Sequence, residues 1–319
     1  MVRGVGGAAL GLAALCAAGC DPGPTTDQST GQGPPVRLLS ANIGSVQPLA
    51  SNDVIQLAFD RLLLPASITR QTFILDVSPP AIPSYDPVTR VVTLAPAMPL
   101  VPGQTHHLQI AAPQSSTDPN GLRAIDGALL DPLQGVIVFQ VGPVGSTSSP
   151  PTIDFCASVY PLFVKSCGSS VCHSGSLPAA GLGLTSATLI SATAIGRVAQ
   201  GANTGPRAAP MSPGRLFGED MPIVDQGTGG SGNPSNSWLL YKLLLAEPPD
   251  GGAALGRPLS VQWQPLSDHE RSILANMVPG REMPYPSDPA KPWTGLSTTD
   301  IETISLWIAQ GAAVPAACP

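Results

Sequence analysis

Two thiols and an imidazole crowd the stretch KSCGSSVCHSG: four residues separate Cys167 from Cys172, and His173 follows at once. Covalent attachment of a c-type haem needs this set. Each thiol adds to one vinyl group along a porphyrin edge, and a His directly after the second thiol lies where it can ligate the iron. Two intervening residues are commoner than four. A longer loop must bulge to keep both sulfurs in reach, which Gly168, Ser169 and Ser170 allow. The same residue types leave two other chemistries open. One is a small-loop disulfide between Cys167 and Cys172, with His173 at the surface. The other is zinc, for which no fourth ligand stands at zinc-site spacing. A six-coordinate haem iron commonly pairs His with Met, which raises the reduction potential. Of Met211, Met221, Met277 and Met283, the last is preferred. It sits in PGREMP, where Pro279-Gly280 ends a helix and a short extended stretch can carry the thioether over a ring. Met221 shares the Met-Pro context and is the runner-up, whereas Met277 falls among apolar helical neighbours and reads as core.

Helices must position these groups. Phe155, Val159, Leu162 and Phe163 recur at helical spacing just upstream, with Pro161 set to kink or break that helix. SWLLYKLLL, from Ser237, is apolar on nearly every side and should be deeply buried. Ser267 with Glu270 forms a capping box opening a helix through Ile273, Leu274 and Met277. Ser297 with Asp300 opens the last helix, lined by Ile301, Ile304 and Ile308 and closed by Gly311. Between Gly201 and Ser237 runs a Gly/Pro/Ser-rich stretch, long for a loop in a compact domain.

Residues 152–319 resemble the cytochrome c-like domains of exported bacterial proteins. The matching parts are Phe155 through His173, Ala180-Gly181-Leu182-Gly183-Leu184, Gly232-Asn233-Pro234 with Ser237 through Leu243, Met283-Pro284, and Leu296-Ser297 through Ala312. The four-residue gap between the thiols is the main departure. The resemblance implies a mainly α domain with long loops and one covalent haem c. Cys167 and Cys172 would form its thioethers, His173 would be the proximal iron ligand and Met283 the distal one. In that fold the first and last helices cross, which implies a disulfide between Cys156 and Cys318. The function implied is single-electron transfer to an unknown redox partner protein. The alternative is a structural or binding lipoprotein whose cytochrome-like domain is haem-free and disulfide-stabilised. No G-x-S-x-G elbow, phosphate loop or H-E-x-x-H helix appears, so no separate catalytic domain is recognised.

Residues 36–142 change period from helical to alternating. Val54–Phe59, Thr72–Val77, Arg90–Leu94, Thr105–Ile110 and Val136–Val141 read as strands of an all-β sandwich. Phe59-Asp60, Pro65-Ala66-Ser67-Ile68, Thr72-Phe73, Leu94-Ala95-Pro96, Leu100-Val101-Pro102-Gly103 and Asp118-Pro119-Asn120-Gly121 resemble the S-layer-type bacterial Ig-like domains. That family implies a spacer or protein-contacting module without chemistry of its own. His106 and His107 are strand neighbours, so their side chains point to opposite faces and cannot chelate one metal together. Residues 143–151 have linker composition.

At the start, a short Ala/Leu/Gly run ends in Ala17-Ala18-Gly19-Cys20, which resembles a bacterial lipobox. This implies a signal peptide over residues 1–19, a lipidated Cys20 and a polar tether over 20–35. The mature chain would then sit in the cell envelope, anchored to a membrane through lipid on the periplasmic or outer-surface face. Five Cys would remain, in an oxidising compartment where disulfides persist. Of 319 residues only 11% are charged and 4% aromatic, with 37 Pro and 34 Gly. That balance excludes a coiled coil, and a net charge of −6 argues against nucleic acid as a partner.

Overall fold

In the strand Thr105–Ile110, residues alternate between exposed and buried along the whole length, as a strand with one wet face must. It is the seventh of eight strands in a computed structural model that describes residues 34–44, 48–114, 118, 120–145, 150–169, 172–202, 217, 220–246, 248, 263–280, 283–284 and 295–319. The signal segment, Cys20, the tether and Met211 lie outside the described residues. The strands are β1 (Leu38–Ala41), β2 (Leu49–Ala50), β3 (Ile55–Phe59), β4 (Phe73–Leu75), β5 (Ile82–Asp86), β6 (Val91–Ala95), β7 (Thr105–Ile110) and β8 (Val136–Gly142). They form two four-stranded sheets, ordered β1-β3-β6-β5 and β2-β8-β7-β4. All pairings are antiparallel except β2 with β8. Inward residues of both sheets share one apolar core, including Leu57, Phe59, Val92 and Leu94 from one and Phe73, Leu108, Phe139 and Val141 from the other. The Phe59 and Phe73 rings meet edge to face across it, 6.5 Å apart.

Helices follow in the second half: α1 (Tyr160–Ser166), α2 (Ala187–Thr193), α3 (Trp238–Leu245), α4 (Asp268–Met277) and α5 (Thr298–Ala309). A wide π-type turn over Phe155–Val159 leads into α1. Pro161, expected to break a helix here, instead falls in the first turn of α1, where its missing N–H leaves no helical bond unmade. Both expected capping boxes are present, Ser267 with Glu270 on α4 and Ser297 with Asp300 on α5. Every residue of α3 is buried. Among the described residues no helix is long and apolar enough to cross a membrane.

The two halves share a core. Met221, Trp238, Tyr241, Leu274 and Val278 belong to the same apolar cluster as the sandwich interior. Buried polar contacts reinforce the junction. The Glu270 carboxylate accepts from the Leu62 N–H at 2.7 Å and lies 3.5 Å from the Arg90 guanidinium. Ser305, fully buried on α5, donates to Asp86 on β5 at 2.9 Å. Asp126, also buried, pairs with Arg61 at 2.7 Å and receives His269 at 3.3 Å.

Candidate cofactor-binding site

Trp307 of α5 is where the site begins. Its ring packs against Phe155 and Phe163 at centroid distances of 5.5 and 6.0 Å, which seats α1 on α5. The Cys156–Cys318 disulfide ties the start of this segment to the end of the chain, joining the two thiols whose pairing the resemblance implied. So held, α1 ends at Cys167, whose N–H still donates to Phe163. The chain then loops back on itself. Cys172 N–H donates to Ser169, and His173 N–H donates to the Cys167 carbonyl at 3.2 Å. Gly168 belongs in this loop for a steric reason: a Cβ there would come within 2.9 Å of the Val164 carbonyl.

The following segment turns around His173. Ala180 and Gly181 both adopt positive φ, 54° and 71°, a reversal that glycine accommodates freely and alanine seldom does. The turn brings the carbonyls of Ala179 and Leu182 to 3.2 and 3.1 Å from His173 Nδ1. A carbonyl can only accept, so Nδ1 carries the proton and Nε2 keeps its lone pair. Among the described residues Nε2 has no hydrogen-bond partner. Burial lowers the imidazole pKa, against a smaller opposing effect of the two carbonyls, and so favours the neutral ring. His173 is 6% exposed.

Cys167, Cys172, His173 and Met283 all line one cavity of about 250 Å³. Its walls are largely apolar, with Leu182, Leu184, Ile223, Trp238 and Leu239 prominent, and Lys242 is the cation among them. Both cysteines are free thiols. Cys167 is buried, and desolvation, helped by Cys172 alongside, pushes its thiol up to about 12. Met283 follows α4 in sequence, and its N–H donates to the Lys242 carbonyl at 3.3 Å. Met221 does not line the cavity; its side chain is buried in the apolar core shared with the sandwich. Met277 is buried in that core too, as its helical neighbours predict.

Sequence reasoning missed the groups that orient the imidazole. Main-chain carbonyls have no side-chain signature; only the Gly in AGLGL hinted at a turn there. Lys242 also passed unnoticed inside a run that reads as uniformly apolar. No group of three or more His, Cys, Asp or Glu side chains that could hold a bare metal ion occurs among the described residues. In the sandwich, His106 is buried and His107 exposed, as neighbours on a strand should be, yet both rings reach one carboxylate. Asp76 lies 2.8 Å from His106 Nδ1 and 3.2 Å from His107 Nδ1. Burial alone would raise the Asp76 pKa, but the bonds from the two histidines outweigh it and lower the value.

No known protein family matches the chain, and no curated protein matches it. Among solved structures, the S-layer protein rSbsC(31-844) aligns over 38% of this chain and 15% of its own, at 12% identity and a TM-score of 0.25. The N-terminal part of the bacterial S-layer protein SbsC aligns over 39% of this chain and 26% of its own, at 14% identity and the same score. This is a weak structural similarity to S-layer protein domains, spanning a minor part of either chain.

Proposed function

We propose that this protein is an exported, membrane-anchored c-type cytochrome-like lipoprotein that binds one haem and passes single electrons to a partner protein. The observation that carries the reading is the meeting of two free thiols, an imidazole with a bare Nε2 and a thioether on one apolar-walled cavity. That donor set suits haem c. Cys167 and Cys172 would hold the group by thioether bonds, and His173 and Met283 would be its axial ligands. When bound, the haem supplies one-electron redox chemistry.

The remaining work falls to the chain. Ala179 and Leu182 fix the His173 tautomer so that Nε2, not Nδ1, keeps the lone pair that would bind the iron. Cys167, buried at the end of α1, and Cys172, half-buried on the following loop, would be the two thiols that hold the haem. The apolar walls exclude water, which favours the form of the site with less net charge. The cavity, at about 250 Å³, is smaller than a whole tetrapyrrole, so its lining residues would hold part of the haem and leave an edge outside. An exposed edge serves an electron carrier, since a partner must approach it. The sandwich would act as the spacer between site and anchor, Cys20 as the lipidated residue and the cell envelope as the location. The anchor would be the membrane attachment, and no nucleic acid would be a partner.

Expression in a host with a c-type maturation system tests this directly. Denatured, separated protein should retain haem by peroxidase staining and give a pyridine haemochrome spectrum. Retention should vanish in the Cys167→Ser, Cys172→Ser double variant. Absence of haem beside a correctly matured control would replace this reading with that of a structural lipoprotein.

A further inference from the structure

Lys242 sits on α3 with its side chain buried, an arrangement seldom found unless the ammonium is compensated. Its compensation has a particular shape. Nζ donates to the Pro279 carbonyl at 2.6 Å and to the Val278 carbonyl at 3.3 Å, the first residues after α4. The main-chain carbonyl of the same residue accepts the N–H of Met283 at 3.3 Å. One lysine therefore holds main-chain groups of Val278, Pro279 and Met283. Between them Gly280 adopts φ +92°, and a Cβ there would lie 3.4 Å from Nζ. Lys242, Pro279, Gly280 and Met283 all line the cavity that holds Cys167 and His173.

We infer that Lys242 is a positioning residue for the distal ligand: its ammonium anchors the chain at Val278 and Pro279, just ahead of Met283, so that the Met283 thioether is presented to the cavity. This rests on the haem reading above, in which Met283 is that ligand. The physical basis is preorganisation. A thioether is a weak ligand on a short segment, and any freedom in that segment is lost again each time the sulfur binds. Two hydrogen bonds from a charged donor remove that freedom beforehand and satisfy the first two carbonyls after α4. The carbonyl contact to Met283 belongs to the backbone and survives substitution. A side-chain variant therefore tests the ammonium alone.

The test uses the full chain matured with haem, as wild type, Lys242→Ala, Lys242→Arg and Met283→Ala. Covalent haem per chain is read from the denatured protein. The ferric thioether-to-iron charge-transfer band, the reduction potential and the affinity for added imidazole are read from the native one. In Lys242→Ala, haem per chain should match wild type. The charge-transfer band should fade, the potential should fall toward that of Met283→Ala, and imidazole should bind at least about tenfold more tightly, the scale of losing one charge-assisted hydrogen bond. Lys242→Arg, which keeps the charge and donors, should restore part of the band. A wild-type band and potential in Lys242→Ala overturn the assignment to Lys242 alone. Wild-type protein that holds no haem, or holds it without the band, overturns the ligand reading first and the role of Lys242 with it. Should Lys242→Ala fail to fold, Lys242→Gln keeps one donor and is measured instead. It should bind imidazole severalfold more tightly than wild type, and unchanged affinity there overturns the inference.

Discussion

Cys167 and Cys172 are chemically unequal although the sequence writes them alike. Cys167 caps the end of α1 in the apolar cluster of the helical half, and burial pushes its thiol up to about 12, while Cys172 stands half-buried on the loop. A thiolate is the reactive form, so at pH 8 only about one Cys167 in ten thousand would be ionised. In haem-free protein from a host without a maturation system, iodoacetamide should label Cys172 first and Cys167 roughly a hundredfold more slowly or worse. Peptide mapping over time measures this. Equal rates would show that the site is open, and labelling of neither would show the two thiols joined. The pattern of two thiols and a following His could be read directly, because side-chain identity and spacing carry it. The inequality could not, because it depends on burial in a cluster assembled from residues far apart in the chain.

At the level of elements, the helix most responsible for the site is α5, which seats α1 through Trp307 and is itself held from two directions. Ser297 caps its N-terminus, with the Asp300 side chain bonding back to the Ser297 N–H. At the far end, Gly232 donates to the Ala309 carbonyl, so closely that a Cβ on residue 232 would stand 1.9 Å from the carbonyl oxygen of Ile308. Ser297→Ala should cost about 1 kcal/mol of stability, as loss of an N-cap does. Gly232→Ala should cost about 1–3 kcal/mol because backbone must move to admit the methyl. Urea denaturation gives both values. A Gly232→Ala midpoint equal to wild type would mean that the contact yields without penalty. The disulfide between Cys156 and Cys318 encloses nearly the whole second half, and its removal should cost a further ~3–5 kcal/mol on the chain-entropy account. Helix starts were legible since Ser-x-x-Glu and Ser-x-x-Asp are local signals. So were the interior strands β3, β6, β7 and β8, which are apolar or alternate cleanly. Of the four edge strands, β4 was legible within Thr72–Val77, while β1, β2 and β5 escaped notice. An edge needs only one bonded side and tolerates Pro83, Ser84 and Asp86 in β5, residues that read as turn formers.

For the whole molecule, the most consequential side chain is Glu270, which the sequence marked only as the third member of a capping box. In the folded chain one of its oxygens accepts from Leu62 of the sandwich. The other accepts from both the N–H and the hydroxyl of Ser267 and faces Arg90. The box is local and could be read; its second duty links residues 208 apart in sequence, and no local pattern encodes such a pairing. Burial by itself would raise the pKa of this carboxyl. Arg90 and the bonds from Leu62 and Ser267 outweigh burial and hold it below the ordinary glutamate value. A carboxyl with a depressed folded pKa stabilises the fold above its unfolded pKa of about 4.3, and that contribution disappears as pH falls through the lower folded value. Glu270→Gln should therefore cost about 3–5 kcal/mol at neutral pH, because it strands Arg90 as a buried charge without its partner. The gap between wild type and variant should narrow steadily below about pH 4, where the wild-type carboxyl also becomes neutral. Because residues of α3 and α4 pack into the apolar core of the sandwich, wild type should unfold in a single calorimetric transition at pH 7. If the Glu270–Arg90 pair is what couples the halves, Glu270→Gln should split or broaden that transition. A variant that shifts the midpoint but stays as sharp as wild type would assign the coupling to the apolar core alone.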